Sequence, residues 1–400
     1  MNKVFSALNY LKNCALVVLL LAIGLSYHPT IIRMSRMAGY ESGTILSRYI
    51  VVLFCFVFIV SICTPGFSIL KSKIIRTTIL SLLLIGITGL TAIAFFGNSQ
   101  VVADLKSLLI VLGAIIIGMR LTPSRRLLYL LFAAFSCSVL FSGLSQVLIN
   151  IGGFRIEDQY LADAKNSLGA LLASVTILSL FVSQDARSHL VRYISAACVV
   201  FGVLLILVIR ARMAFVTSVF MFLLFFYLRS RSQHFLVSVL ILFPIFFVVI
   251  SLLPNSVFGF IDASLTAGTQ GVDFTSGRLD TYRDAVAIFL NNPLMGNIRQ
   301  MEQIAWVHNY PLLKLSSFGL LFSWPVLLLY CYILWQVISR SFHYKESVSF
   351  ANLFLLVPFL ISMAEPTFPF GPGTATVFNF ILFGMADRAI TTDASLVTMS

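Results

Sequence analysis

The chain has 400 residues, of which 59% are apolar and only 10% charged, with a formal net charge of +12. Soluble domains carry roughly 25% charged residues, so this composition excludes a water-soluble globule. The basic residues stand singly or in small groups between apolar runs, which excludes a nucleic-acid-binding patch and reads as membrane topology.

A helix needs about 20 apolar residues to cross the hydrocarbon of a bilayer. In chain order such runs occupy 8–27, 47–65, 77–96, 101–119, 127–150, 166–183, 193–209, 213–228, 234–253, 316–338, 348–363 and 372–386. They predict an all-α polytopic membrane protein of about twelve transmembrane helices, with residues 1–400 forming one integral membrane domain. The first run follows Lys3 and Lys12 and has only Gly24 and Ser26 as small residues near its end, so it reads as an uncleaved helix. The six cysteines, Cys14, Cys55, Cys63, Cys137, Cys198 and Cys331, lie inside apolar stretches without ligand spacing; neither a disulfide nor a metal site is expected.

Lysine and arginine set the orientation, because short cytoplasmic loops retain an excess of them. With the N-terminus inside, the cytoplasmic set is Lys3, Lys12, Lys71, Lys73, Arg76, Arg120, Arg125, Arg126, Arg187, Arg192, Arg229, Arg231, Arg340, Lys345 and Arg388. The short outer loops hold Arg33, Arg36, Arg48, Lys106, Arg155, Lys165, Arg210 and Arg212. This asymmetry predicts both termini in the cytoplasm, with residues 389–400 as a short, unordered cytoplasmic tail. Residues 193–228 as one helix would run about 54 Å, far beyond a bilayer core of about 30 Å, so the chain must break at Arg210-Ala211-Arg212. That break keeps the long polar loop 254–310, between helices 9 and 10, outside.

Within this loop, Thr275 or Ser276 can cap a following helix. Leu279, Tyr282, Val286 and Phe289 then recur at helical spacing, and Asn291-Asn292-Pro293 ends the pattern. A short amphipathic helix is expected, apolar stripe inward, with Arg278 at its N-terminus. An arginine beside free backbone N–H groups suits an anion; a solvated arginine is the plainer reading. His308, in Trp306-Val307-His308-Asn309-Tyr310-Pro311, stands where the chain re-enters the bilayer. His189, His234 and His343 fall on the cytoplasmic side, which leaves His28 and His308 to transfer protons outside. A lone interfacial histidine is otherwise a hydrogen-bonded anchor.

Arg210 and Arg212 interrupt an apolar run; they either snorkel from a tight turn or grip a phosphate with the guanidinium fork. Glu365 lies in the proline- and glycine-rich turn Met363 to Gly373, where it can orient His308 or a substrate hydroxyl, or cap the turn. Asn166 begins a span and can cap it. The first outer loop, residues 28–46, has one acid, Glu41, and the sequence has no phosphate-binding loop with lysine, G-x-S-x-G elbow or H-E-x-x-H.

Taken together, the many spans, the arginine after the seventh, Ser276-Gly277-Arg278 in a long outer loop, then His308-Asn309 with a leucine-rich re-entry and Gly319, resemble the O-antigen polymerase and ligase superfamily of bacterial envelope glycan assembly. The resemblance covers the chain from about Asn166 onward. It implies a bacterial inner-membrane enzyme that moves a glycan from an undecaprenyl diphosphate carrier to an acceptor sugar hydroxyl at the periplasmic face, without metal or cofactor. Membrane lipid and a chain-length regulator are the other partners it brings. By the same resemblance, Arg212 and Arg278 hold the diphosphate and His308 orients or deprotonates the acceptor hydroxyl; Arg210, Asn309, Glu365 and Asn166 are the candidate substrate-binding residues. Ala211 replaces the family's usual hydroxyl residue, which keeps Arg210 as the alternative to Arg212. Ser316 and Ser317 stand where the family often has an acid. The turn Glu365 to Gly373 resembles that of polymerases more than ligases; ligation onto lipid A core is the alternative, and a carrier-lipid flippase or secondary transporter the rival of another class.

Overall fold

The computed structural model describes residues 2–38, 45–64, 69–97, 100–121, 124–151, 159–209, 211–230, 278–298, 307–343, 346–371 and 375–397. Among them the regular elements are helices: α1 (Asn2–Leu25), α2 (Pro29–Met37), α3 (Ile45–Cys63), a 3-10 turn (Ile69–Lys71), α4 (Lys73–Phe96), α5 (Gln100–Arg120), α6 (Arg125–Ile151), α7 (Gln159–Asp185), α8 (His189–Val208), α9 (Arg212–Ser230), α10 (Arg278–Asn291), α11 (Tyr310–His343), α12 (Glu346–Ile361) and α13 (Val377–Val397). Seven are long and apolar enough to cross a membrane, namely α1, α3, α4, α6, α7, α8 and α11, and Met213–Leu228 and Phe350–Ile361 are shorter apolar helices. The chain is thus all-helical over the described residues and polytopic in character. Seven such helices stand against twelve expected spans; the span expected at 234–253 lies outside the described residues.

Local chemistry explains several boundaries. Ser72 caps α4 by accepting the Ile75 N–H at 3.2 Å, and Gly97 ends that helix in the left-handed conformation, its N–H returning to the Ile93 carbonyl. The break expected at 210–212 is seen as the end of α8 at Val208 and the start of α9 at Arg212. It packs on α7, where a Cβ on Gly169 would lie 2.5 Å from that of Ala211, so only glycine admits the turn at this distance.

Residues 29–37, within the stretch read as the first outer loop, form a short helix, α2; Pro29 occupies its first turn, where a missing N–H costs nothing. Two sequence expectations are corrected. The residues after Arg388, expected as an unordered tail, continue α13 to Val397, with the Thr391 and Thr392 hydroxyls donating to the carbonyls one turn back. Asn166 does not cap α7, which begins at Gln159, because the helix extends two turns beyond the apolar run into polar residues.

Small residues and buried hydroxyls knit the bundle, as expected where lipid supplies no hydrophobic drive between helices. Gly118 of α5 packs on the α13 backbone at Ile381, and Gly384 of α13 packs on the α5 backbone at Ile115. Asn379 donates to the Phe354 carbonyl at 2.9 Å, tying α13 to α12.

The two ends of the bundle differ in chemistry. One end gathers cations from α1, α5, α11 and α13: Lys12, Arg120, Arg340 and Arg388. At the other, Lys314 of α11 donates to Asp104 of α5 at 2.7 Å and lies over the Tyr310 and Phe318 rings. This pair is largely buried and joins residues far apart in sequence.

Candidate functional site at the re-entry of helix α11

The site is assembled where α11 begins. Asn309 caps it, its Oδ1 accepting the Leu312 N–H at 3.0 Å, while its Nδ2 donates to the Met363 carbonyl at 3.1 Å. The Tyr310 N–H donates to the Ser362 carbonyl at 2.9 Å. The start of α11 is therefore fixed to the turn after α12 by its first two residues. Behind them, Tyr310, Tyr330, Phe359 and Phe370 form an aromatic floor, and the Tyr330 and Ser362 hydroxyls are 2.9 Å apart.

This framework places His308 beside Glu365. Nδ1 of His308 lies 3.9 Å from Oε2 of Glu365, close enough for charge attraction and too far for a direct hydrogen bond. Nδ1 is buried without a hydrogen-bond partner among the described residues, whereas the side chain as a whole is 35% exposed. The ring thus turns Nδ1 inward toward the carboxylate and leaves the Nε2 edge to the open side. A carboxylate behind an imidazole stabilises the imidazolium that forms when Nε2 takes a proton, which is the requirement for a general base.

Helix α10 covers this pair. The Tyr282 hydroxyl lies 2.7 Å from the His308 carbonyl and 3.2 Å from the Met363 carbonyl, so one hydroxyl bridges both segments that carry the pair. The packed face of α10 differs from the expected stripe. Ala285 is buried against Val307, with Tyr282 and Ile288 beside it, while Val286 is 42% exposed. Helical spacing of three or four residues left both registers open, and the small Ala285 allows the closer approach.

After α10 the chain turns back through Gly296 and enters a break in α11. Gly319, at φ 59° and ψ −174°, interrupts the helix in a region almost restricted to glycine. The polar groups exposed by the break find partners in the turn: Asn297 N–H donates to the Ser316 carbonyl, Leu320 N–H to Pro293 and Leu321 N–H to Leu294, all at 2.8–2.9 Å. Ser316 and Ser317 are buried, and the Ser316 hydroxyl donates back within the helix to the Leu312 carbonyl.

Of the residues singled out from sequence, His308, Asn309 and Glu365 come together here. Arg278 is the first residue of α10, one helical turn ahead of Tyr282. Arg212 is the first residue of α9, whose neighbour Ala211 packs on Gly169, three positions beyond Asn166. Arg210 lies outside the described residues. From Asn166, α7 descends past Ala170 and Ser174, which with Pro358, Phe368, Thr376 and Asn379 line a shallow crevice too narrow to admit a water molecule. Sequence reading missed Tyr282 as a hydrogen-bonding residue, and it missed the Lys314–Asp104 pair. Both depend on partners distant in sequence, and neither leaves a local signal. No protein-family model matches the chain, and no curated protein matches it.

Proposed function

We propose that this chain is a membrane glycosyltransferase of the O-antigen polymerase type, joining undecaprenyl-diphosphate-linked repeat units at the periplasmic face of a bacterial inner membrane. The observation that carries the reading is the His308–Glu365 pair, held by Asn309 and Tyr282 under a helix that begins at Arg278. Around it the proposal takes twelve spans, both termini in the cytoplasm and the loop 254–310 outside, as the distribution of lysine and arginine supports.

A glycosyl diphosphate already has a good leaving group. The enzyme must position an acceptor hydroxyl and stabilise the charge that develops on the departing diphosphate. In this reading Nε2 of His308 accepts the proton of the acceptor hydroxyl, Glu365 stabilises the resulting imidazolium, and Arg278 with Arg212 or Arg210 meets the diphosphate. The new bond joins the acceptor oxygen to the anomeric carbon, and undecaprenyl diphosphate leaves with the bonding pair. The resemblance supports polymerisation, with ligation to lipid A core as the alternative product.

The test is glycan transfer by purified protein from a lipid-linked donor. His308→Ala and Arg278→Ala should each abolish transfer with unchanged abundance in the membrane; near-normal transfer in both would overturn the assignment. Lipopolysaccharide from a deletion strain distinguishes the products. Core plus one repeat marks a lost polymerase, and bare core with carrier-linked chains a lost ligase.

A further inference from the structure

The end of the bundle opposite the His308 site holds a cation cluster that the proposed reaction does not use. Two side chains converge on successive carbonyls at the C-terminus of α5, and the arginine that ends α5 reaches the C-terminus of α3. Arg388 of α13 donates to Leu121 at 2.7 Å and lies 3.4 Å from Met119, Lys12 of α1 donates to Arg120 at 3.1 Å, and Arg120 itself donates to Thr64 at 3.0 Å. One cation suffices to complement a helix C-terminus, whose partial charge is about −0.5. Here three cations meet the ends of two helices, two of them on α5, and none forms an ion pair among the described residues. The nearby carboxylate, Asp387, is already engaged by Arg340 at 2.7 Å and by the Ser72 hydroxyl at 2.5 Å.

Lys12 is 2% exposed, and Nε of Arg120 is buried without a partner. Uncompensated charge of one sign at this depth is costly unless an anion completes it. Together the three side chains carry on the order of a dozen N–H donors, and their protein contacts use fewer than half. Lys71 and Lys73, exposed on either side of Ser72, add to the same field.

We propose that Lys12, Arg120 and Arg388 bind the phosphodiester headgroup of an anionic phospholipid. The flanks point to a lipid over a soluble phosphate. Leu11 of α1 and Ile62 of α3, one and two residues from the Lys12 and Thr64 contacts, are 46% and 45% exposed and provide an apolar surface for acyl chains. A phosphodiester offers unesterified oxygens to the two guanidinium groups, and Lys12 supplies positive charge from below.

The full chain in phosphatidylcholine nanodiscs tests this. Adding phosphatidylglycerol should raise the unfolding midpoint in a saturable way, while more phosphatidylcholine or millimolar inorganic phosphate should not. Arg120→Gln with Arg388→Gln should need about tenfold more phosphatidylglycerol for the same shift. Native mass spectrometry of the unmodified protein, which needs no variant to fold, should retain phosphatidylglycerol in preference to phosphatidylcholine. Equal shifts with both lipids, an undiminished shift in the double variant, or no preference in the mass spectrum would overturn the proposal. A shift produced equally by inorganic phosphate would mean an ion site and would overturn it as a lipid site.

Discussion

Gly296 and Gly319 face each other backbone to backbone, and neither has room for a side chain. A Cβ on Gly319 would lie 2.4 Å from the Leu294 carbonyl, and one on Gly296 would lie 2.5 Å from the Ser316 carbonyl. Both residues also have positive φ, so alanine at either position meets backbone strain as well as collision. Gly319→Ala and Gly296→Ala should each destabilise the protein by about 1–3 kcal/mol. The checks are unfolding in detergent and proteolysis of the segment after α10, which should become faster if the turn leaves the break.

His308 and Glu365 divide the proposed proton transfer between them. His308→Ala should lower turnover by roughly 10²–10⁴, the usual share of a general base. Glu365→Gln, which keeps the shape but removes the carboxylate beside Nδ1, should have a smaller effect in the same direction. Single-turnover transfer measures both, and a Glu365→Gln rate equal to the unmodified one would remove Glu365 from this role.

Tyr282 is expected to act through His308 and not on substrate. Tyr282→Phe keeps the packing against Ala285 and Val307 but removes the bridge to the two carbonyls, a loss of about 0.5–1.5 kcal/mol. Turnover should fall while the protein still folds, and donor KM should change less than kcat.

Lys314 and Asp104 form a largely buried pair, and removing one partner strands the other. Lys314→Met should cost about 3–5 kcal/mol, and Lys314→Met combined with Asp104→Leu should recover most of it. A double-mutant cycle on unfolding free energy measures the coupling.

His28 gives the structure a pH dependence outside the spans. Its Nδ1 accepts the Thr30 N–H at 3.3 Å at the start of α2, which requires the neutral ring, and burial lowers its pKa below 6.5. The unfolded chain therefore binds the proton more readily. The contribution is present above pH 6.5 and is lost as pH falls through the lower folded value. Hydrogen exchange in α2 should quicken on acidification, and His28→Asn, which keeps an acceptor that does not titrate, should abolish that change.

Much of the bundle was legible because a bilayer demands long apolar runs, and the break at 210–212 followed from length alone. The helix from Arg278 was legible from spacing and its stop at Asn291-Asn292-Pro293. Its packed face was not, since Tyr282, Ala285 and Ile288 compete with Leu279, Tyr282, Val286 and Phe289 as equally regular stripes. His308 and Glu365 could be singled out by residue type. What holds them did not show in sequence, because Asn309 to Met363 and Tyr282 to His308 are contacts between segments folded together late in the chain. Asn166 misled for the opposite reason: a capping residue beside an apolar run is a local signal, and α7 continues past it.

The interruption at Gly319 also bears on how the protein meets bilayers of different thickness. The part of α11 from Leu320 to Ser341 spans about 33 Å at 1.5 Å per residue, enough to match the hydrocarbon by itself. The arm from Tyr310 to Phe318 is anchored to protein, through the 293–297 turn and the Ser362 carbonyl. Stretching or thinning the surrounding lipid would be taken up by tilt of the long arm, with the short arm left in register with Glu365. Transfer rates should consequently vary little across lipids of different acyl-chain length.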